Sequence, residues 1–284
     1  MINPLTQKPF PPHPMSDRGR STATENLATA RQNFAESQTL ENTIWLGRRL
    51  AYLYQFDKMF DVYTQGISRF SDSHELLRHR GHRYISTRQF DKAIIDFEKA
   101  AAIAKDRPIK IEPDGVPNHL NQPTSNGHFN IWYHLGLAYY LTQEFEKAAA
   151  AYTTCMTYSN NPDSICAAAD WHDMTLRRLG NHEEAEKLLD HISQDMTLIE
   201  SHSYHQRLMM YKGVYSAEQV LNPEDDRPED RLLTLATQGY GVATWYLYNG
   251  DQARARKIYQ QVIETGFWSA FGYIAAEVEL IQIK

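Results

Sequence analysis

Apolar side chains return along this chain at helical spacing: Leu27, Ala30 and Phe34 in one stretch, Trp132, Leu135 and Tyr139 in another, and Trp268, Phe271, Ile274, Ala275 and Val278 in the last. The pattern predicts an all-α chain. Between apolar-periodic helices one polar phrase recurs. Arg88, Gln89, Phe90, Asp91, Lys92 and Ala93 are echoed by Gln143, Glu144, Phe145, Glu146, Lys147 and Ala148, and by Gly180, Asn181, His182, Glu183, Glu184 and Ala185. A phrase that joins helix to helix at several places identifies a helical repeat. Such pairs bury their apolar faces by stacking on one another, which yields a curved surface rather than a catalytic pocket. Two breaks interrupt the pattern. Residues 108–127 carry Pro108, Pro113, Pro117 and Pro123 and cannot be helix, yet Ile109, Ile111 and Val116 give the segment apolar handles. An ordered loop folded back on the concave side is expected there. Residues 222–230 form the second break, and Pro223 cuts short the helix before it.

Set in register, Trp132, Leu135, Gly136, Tyr139, Ala148 and Tyr152 fall on the consensus of the tetratricopeptide repeat (TPR), a helix-turn-helix unit of about 34 residues. Leu46, Gly47, Phe56 and Tyr63 mark one copy, and Gly81, Tyr84, Phe90, Ala93, Phe97 and Ala100 the next. Leu176, Gly180, Ala185 and Leu189 mark a fourth, and Tyr246, Gly250, Asp251, Ala255, Tyr259 and Val262 a late one, with residues 201–221 as a degenerate unit between them. The chain resembles a TPR protein. Phrases such as Phe271, Gly272, Tyr273, Ile274, Ala275, Ala276 and Glu277 resemble a bacterial group of that family, to which the resemblance attaches no activity. The resemblance implies a right-handed α-solenoid of five to six units with capping helices. The boundaries expected are a disordered leader over 1–21, an N-terminal cap over 22–40, a solenoid over 41–284 with the loop at 108–127, and a C-terminal cap over 267–284. Arg80 stands where the repeat expects a packed leucine.

Composition narrows the function. A net charge of −6 argues against a nucleic-acid binder, which normally shows a basic excess. The charge is uneven: residues 45–110 hold 13 Lys/Arg against 8 Asp/Glu, and residues 183–230 hold 4 against 12. Self-association through opposite halves is therefore one reading. With no apolar run long enough to cross a bilayer and no signal-peptide core, a cytoplasmic location without membrane contact is expected. Cys155 and Cys166, the two cysteines, read as small buried hydrophobes rather than a disulfide.

The resemblance implies that the first helix of each unit lines the concave face. That places Arg48, Arg78, His82 and Arg83 on a basic lining suited to carboxylates or phosphates, since arginine offers paired N–H donors. An internal salt-bridge network with Glu75, Asp72 or Asp114 is the alternative. Further along, the groove becomes aromatic and mixed, with Tyr133 and Tyr140, then Asp170 and Arg177. Asp170, His172 and Asp173 are acid/base types within one helical turn, but no zinc-protease, phosphate-loop or nucleophile-elbow pattern accompanies them. Neither metal nor cofactor is expected, and the chain is read as a non-enzymatic scaffold. Its expected partner is a protein or peptide, acidic in character, held in the concave groove. The competing reading is a small-molecule or anion-binding protein, or an enzyme, whose loop closes over the Arg/His lining. A long open groove would favour the first reading, and a closed cavity where loop, Arg78 and His82 converge the second.

Overall fold

Six of the turns that join one helix to the next share a single geometry. An amide bonds back to a carbonyl five residues earlier, and the residue before it has positive φ: Tyr54 (57°), Arg88 (61°), Gln143 (63°), Gly180 (76°), Gly213 (75°) and Gly250 (83°). These are left-handed helix C-caps, which satisfy carbonyls at the helix end and reverse the chain. The recurrent polar phrase is this turn together with the start of the following helix.

The computed structural model describes residues 1–11, 15–222 and 231–282. After α1 (Asp17–Glu36), six antiparallel pairs follow: α2 (Leu40–Tyr52) with α3 (Phe56–Arg69), α4 (His74–Ser86) with α5 (Phe90–Ala104), α6 (Gly127–Leu141) with α7 (Phe145–Thr157), α8 (Pro162–Arg178) with α9 (His182–Leu189), α10 (His202–Tyr211) with α11 (Ala217–Leu221), and α12 (Arg231–Tyr248) with α13 (Gln252–Glu264). The last described helix is α14 (Phe271–Gln282). The result is an α-solenoid. No described helix is long and apolar enough to cross a membrane. Apart from Asn222, the break expected at 222–230 lies outside the described residues.

Within the first three pairs the same contact recurs. A Cβ added at Gly47, Gly81 or Gly136 would come within 2.2 Å of Tyr63, 2.9 Å of Phe97 or 2.8 Å of Tyr152, so the first helix of each pair can lie on an aromatic ring of the second only as glycine. Arg80 is accommodated because its guanidinium makes a two-pronged bond to Asp96 at 2.7 and 2.8 Å. Both cysteines are free and buried.

The ends differ from expectation. α1 begins at Asp17, with Ser16 accepting from the Gly19 amide, so the cap reaches into the stretch read as a leader. Residues 1–11 are tied to the far end of the chain. Asn3 donates to Glu277 at 2.7 Å, Phe10 stacks on Trp268 with ring centres 4.5 Å apart, and Trp268 Nε1 donates to the Pro11 carbonyl at 3.0 Å. Polar and proline-rich composition suggested disorder, but one aromatic ring and one buried amide suffice to dock this arm.

Candidate functional site

The basic lining forms where α2 and α4 meet the inserted loop. Lys110 and Gly127, and Glu112 and Ser125, bond across a two-rung antiparallel ladder at 3.1 and 3.0 Å, which pairs Ile111 with Asn126, the N-cap of α6. This holds the loop over the helix ends. Arg48 Nη1 donates to the Pro113 carbonyl at 2.8 Å and Arg49 Nη1 to the Gly115 carbonyl at 2.9 Å. Trp45 lies under both guanidinium groups, 4.6 and 4.8 Å from the ring centre. Arg78 Nη2 pairs with Glu112 Oε1 at 2.9 Å, while Glu112 Oε2 accepts from Asn130 Nδ2 at 3.0 Å. Burial pulls the Arg78 pKa down against the opposing pull of Glu112. The loop is thus held against α2 and α4 by two of its carbonyls and one carboxylate, while Ile109, Ile111 and Val116, the apolar handles expected to fold it back, stand exposed. Its anchoring carboxylate is Glu112 rather than Asp114, whose Oδ2 makes no hydrogen bond.

The other two members of the basic set point elsewhere. Arg83 sits over the Tyr52 ring at 5.7 Å. His82 packs between His134, 4.6 Å away, and Phe271 of α14, 5.4 Å away. Burial, then the charge of Arg83, holds His82 far below the ordinary histidine range, so it is a neutral ring against the C-terminal helix and not a cation in the lining.

The concave face is not an open groove. Tyr133 Oη lies 2.9 Å from Tyr204 Oη, and Tyr240 Oη donates to Tyr140 Oη at 2.8 Å, so α6 meets α10 and α12 across the axis. Asp170, fully buried, takes a two-pronged bond from Arg207 at 2.9 and 2.8 Å. Tyr133, Tyr140 and Asp170 therefore hold the interior together instead of lining a free wall. Arg177 is half-buried and bound to Asp173 at 2.9 Å. The solenoid curls tightly enough that its own last helix reaches across it. Glu279 of α14 pairs with Arg178 and accepts from Tyr240 at 3.2 Å, and Glu277 pairs with buried Arg88 at 2.8 Å. Sequence reasoning missed Arg88, Arg207, Glu112, Glu277 and Glu279. The available signal was two carboxylates within the otherwise apolar final helix.

Two of the spaces among the described residues lie beside these contacts. A cleft of about 340 Å³ opens where the first turns of α2, α4 and α6 converge on the loop, with Ile44, Trp45, Ile111 and Pro113 as apolar walls and Arg48, Lys110, Glu41 and Glu75 among its charges. A chamber of about 300 Å³ lies deeper, between α8, α10, α12 and the start of α14.

Family models described as tetratricopeptide repeat match residues 129–162 and 239–265, the units around α6/α7 and α12/α13. One solved structure, titled as the crystal structure of YrrB, a TPR protein with an unusual peptide-binding site, is similar at 13% identity with a TM-score of 0.46, over 83% of this chain and 91% of that one. No curated protein matches the sequence. The two matched helical pairs are tetratricopeptide repeats, and such repeats support a protein-interaction scaffold in general.

Proposed function

We propose that this tetratricopeptide-repeat protein is a scaffold that takes an extended segment of a partner protein into the cleft between the inserted loop and the first turns of α2, α4 and α6. One observation carries the reading: the concave face is filled by the chain's own α14, while the loop beside an apolar cleft exposes Ile109, Ile111 and Val116 at 57%, 56% and 78%. Large apolar side chains clustered in water next to a concavity mark interaction surfaces. The backbone supplies a second handle. In the ladder geometry the N–H and C=O of Ile111 face away from Asn126, and neither has a hydrogen-bond partner among the described residues. An extended segment that pairs there adds a third strand and delivers alternate side chains towards Ile44 and Trp45.

In this reading Arg48 and Arg78 hold the loop in its receiving position, and Arg83 braces Tyr52. An acidic preference is not part of it. The arginines are engaged by the loop, and Glu41 and Glu75 balance Lys110 in the cleft. The test is capture from the native host with wild type, Ile111→Asp and the outer-face control Lys92→Ala, followed by titration of the captured partner's segment. Loss of binding with Ile111→Asp alone is expected. A partner held equally by all three variants would defeat the cleft reading.

A further inference from the structure

We propose that the chamber between α8, α10, α12 and the start of α14 is a binding site for an uncharged heteroaromatic small molecule of nucleobase size. Its lining includes the rings of Trp171, Tyr204, Tyr240 and Phe271, with Arg207 on its buried side and Glu200 on its exposed side. The volume of about 300 Å³ is about twice the ~150 Å³ that takes up a benzene ring in an apolar protein cavity, which sets the size of the occupant at a fused bicycle. Flat ligands suit such walls, because each ring offers a face or an edge to a π-system.

The polar groups decide the chemistry. The Trp171 indole N–H, beside the Tyr204 hydroxyl, closes no hydrogen bond of ordinary geometry, although Trp171 is only 3% exposed. Arg207, 4% exposed, spends Nε and Nη2 on Asp170 and Nη1 on the Thr237 carbonyl and Gln238 Oε1. Four of its five N–H donors are thereby used, leaving one on Nη2. The chamber wall therefore carries one Arg207 N–H without a partner and an indole N–H whose neighbour is the Tyr204 hydroxyl, which suits a ligand that brings acceptor atoms.

Net charge argues against an ion. Asp170 neutralises Arg207, so no free cation attracts an anion into the chamber. Glu200 stands on the exposed side, and its place is fixed twice. Asp163 accepts from the amides of Ile199, Glu200 and Ser201 at 2.7–3.1 Å, and the Glu200 carboxylate is bound by Thr124 and Asn118 of the inserted loop. A carboxylate there repels phosphates and accepts from ring or exocyclic N–H groups, while inward-facing donors exclude an ammonium head. A neutral ring with acceptors on one edge and donors on another meets both demands.

The experiment titrates adenine, hypoxanthine and adenosine 5′-monophosphate into the full chain by calorimetry. Saturable binding of at least one free base is expected, with the nucleotide at least about tenfold weaker because its phosphate faces Glu200. Ser203→Trp, which adds bulk to the lining, should abolish binding, and Trp171→Phe should weaken it about fivefold, the share of one neutral hydrogen bond. Lys92→Ala, on the outer face, should leave it unchanged. No saturable binding of either base at about 1 mM overturns the proposal. So does a nucleotide that binds as well as its base, or a natively folded Ser203→Trp that binds like wild type. Should Ser203→Trp fail to fold, an unaltered affinity in Trp171→Phe is the overturning result.

Discussion

Replacing Glu112 by alanine should release the inserted loop. In the intact protein its carboxylate lies 2.9 Å from Arg78 Nη2 and 3.0 Å from Asn130 Nδ2, and the Arg78 and Glu112 side chains are only 10% and 15% exposed. Removing one partner of a buried pair costs about 3–5 kcal/mol, because the other charge is stranded away from water. Arg78 would keep only His79 Nδ1 at 3.0 Å, and its Nε is already without a partner. Unlike a pair in the middle of a core, this one has an alternative: the loop can lift and let water reach the guanidinium. The penalty is therefore capped by whatever free energy closes the loop, and it appears as loop opening before global unfolding. At the low end, about 3 kcal/mol raises the open fraction about 100-fold. Limited proteolysis should cut the alanine variant within residues 113–124 faster by that order, while its urea midpoint moves far less than a loss of about 3 kcal/mol demands. Glu112→Gln, which can keep the Asn130 bond, should fall between. An alanine variant cut no faster than wild type would refute the anchoring role of Glu112.

Gly136→Leu should drive a side chain into Tyr152, 2.8 Å from where even a Cβ would sit, and cost about 1–3 kcal/mol in urea unfolding; wild-type stability would show that the contact is not tight. Asp170→Ala should cost about 3–5 kcal/mol by stranding Arg207, and Asp170→Asn should recover part of it; equal loss in both would point to packing instead. Stability should also fall with acid. Burial holds His134 down to about 3 and His172 to about 4, and depresses His79 and His82 as well. The unfolded chain binds these protons near pH 6.5 and the native one does not, so stability is full above that pH and falls below it by up to about 1.4 kcal/mol per pH unit per histidine. Asp173, raised by burial to about 6, acts in the opposite sense, since its stability is lost as pH rises from the unfolded carboxylate range through that value. Burial raises Asp170 and Asp114 in the same sense as Asp173, so the four histidines act against three carboxylates; a net fall is expected, and urea midpoints that stay level from pH 7 to 5 would contradict it.

The repeat was legible because each unit must restate the same local physics. A glycine has to face an aromatic ring, and a polar turn has to follow the first helix, so Gly81, Phe97 and the Arg88 phrase announce themselves in one dimension. The loop's anchoring was not legible: Ile109, Ile111 and Val116 drew attention to the segment, but they stand exposed, and Arg48, Arg49 and Arg78 hold the loop through its carbonyls and Glu112. Curvature also lay beyond the sequence. Whether Tyr140 lines a groove or bonds to Tyr240 depends on small rotations accumulated over three pairs, and no single unit encodes the sum. The basic set failed in part for the same reason. Arg48 and Arg78 were placed by their own repeats, whereas the direction of His82 was settled by Phe271, a residue about two thirds of the chain away.

Yet the turns of the first two units do carry a trace of the closure. The left-handed cap residue is glycine in the fourth, fifth and sixth pairs, as Gly180, Gly213 and Gly250, but Tyr54 and Arg88 hold that position in the first and second. A side chain with a Cβ costs about 1 kcal/mol in this conformation, so something must offset it. Both side chains cross to the other end of the molecule. The Tyr54 ring lies 5.2 Å from Trp268, and Arg88 pairs with Glu277 among the rings of Phe10, Trp268 and Tyr273. Gln143, the third pair's cap, is exposed and makes no such crossing. The strained caps are thus placed where the solenoid returns upon itself. An open superhelix would leave Arg88 with nothing to offset either its backbone or its burial, so the filled concave face is part of how the first repeats fold and not a later addition to them.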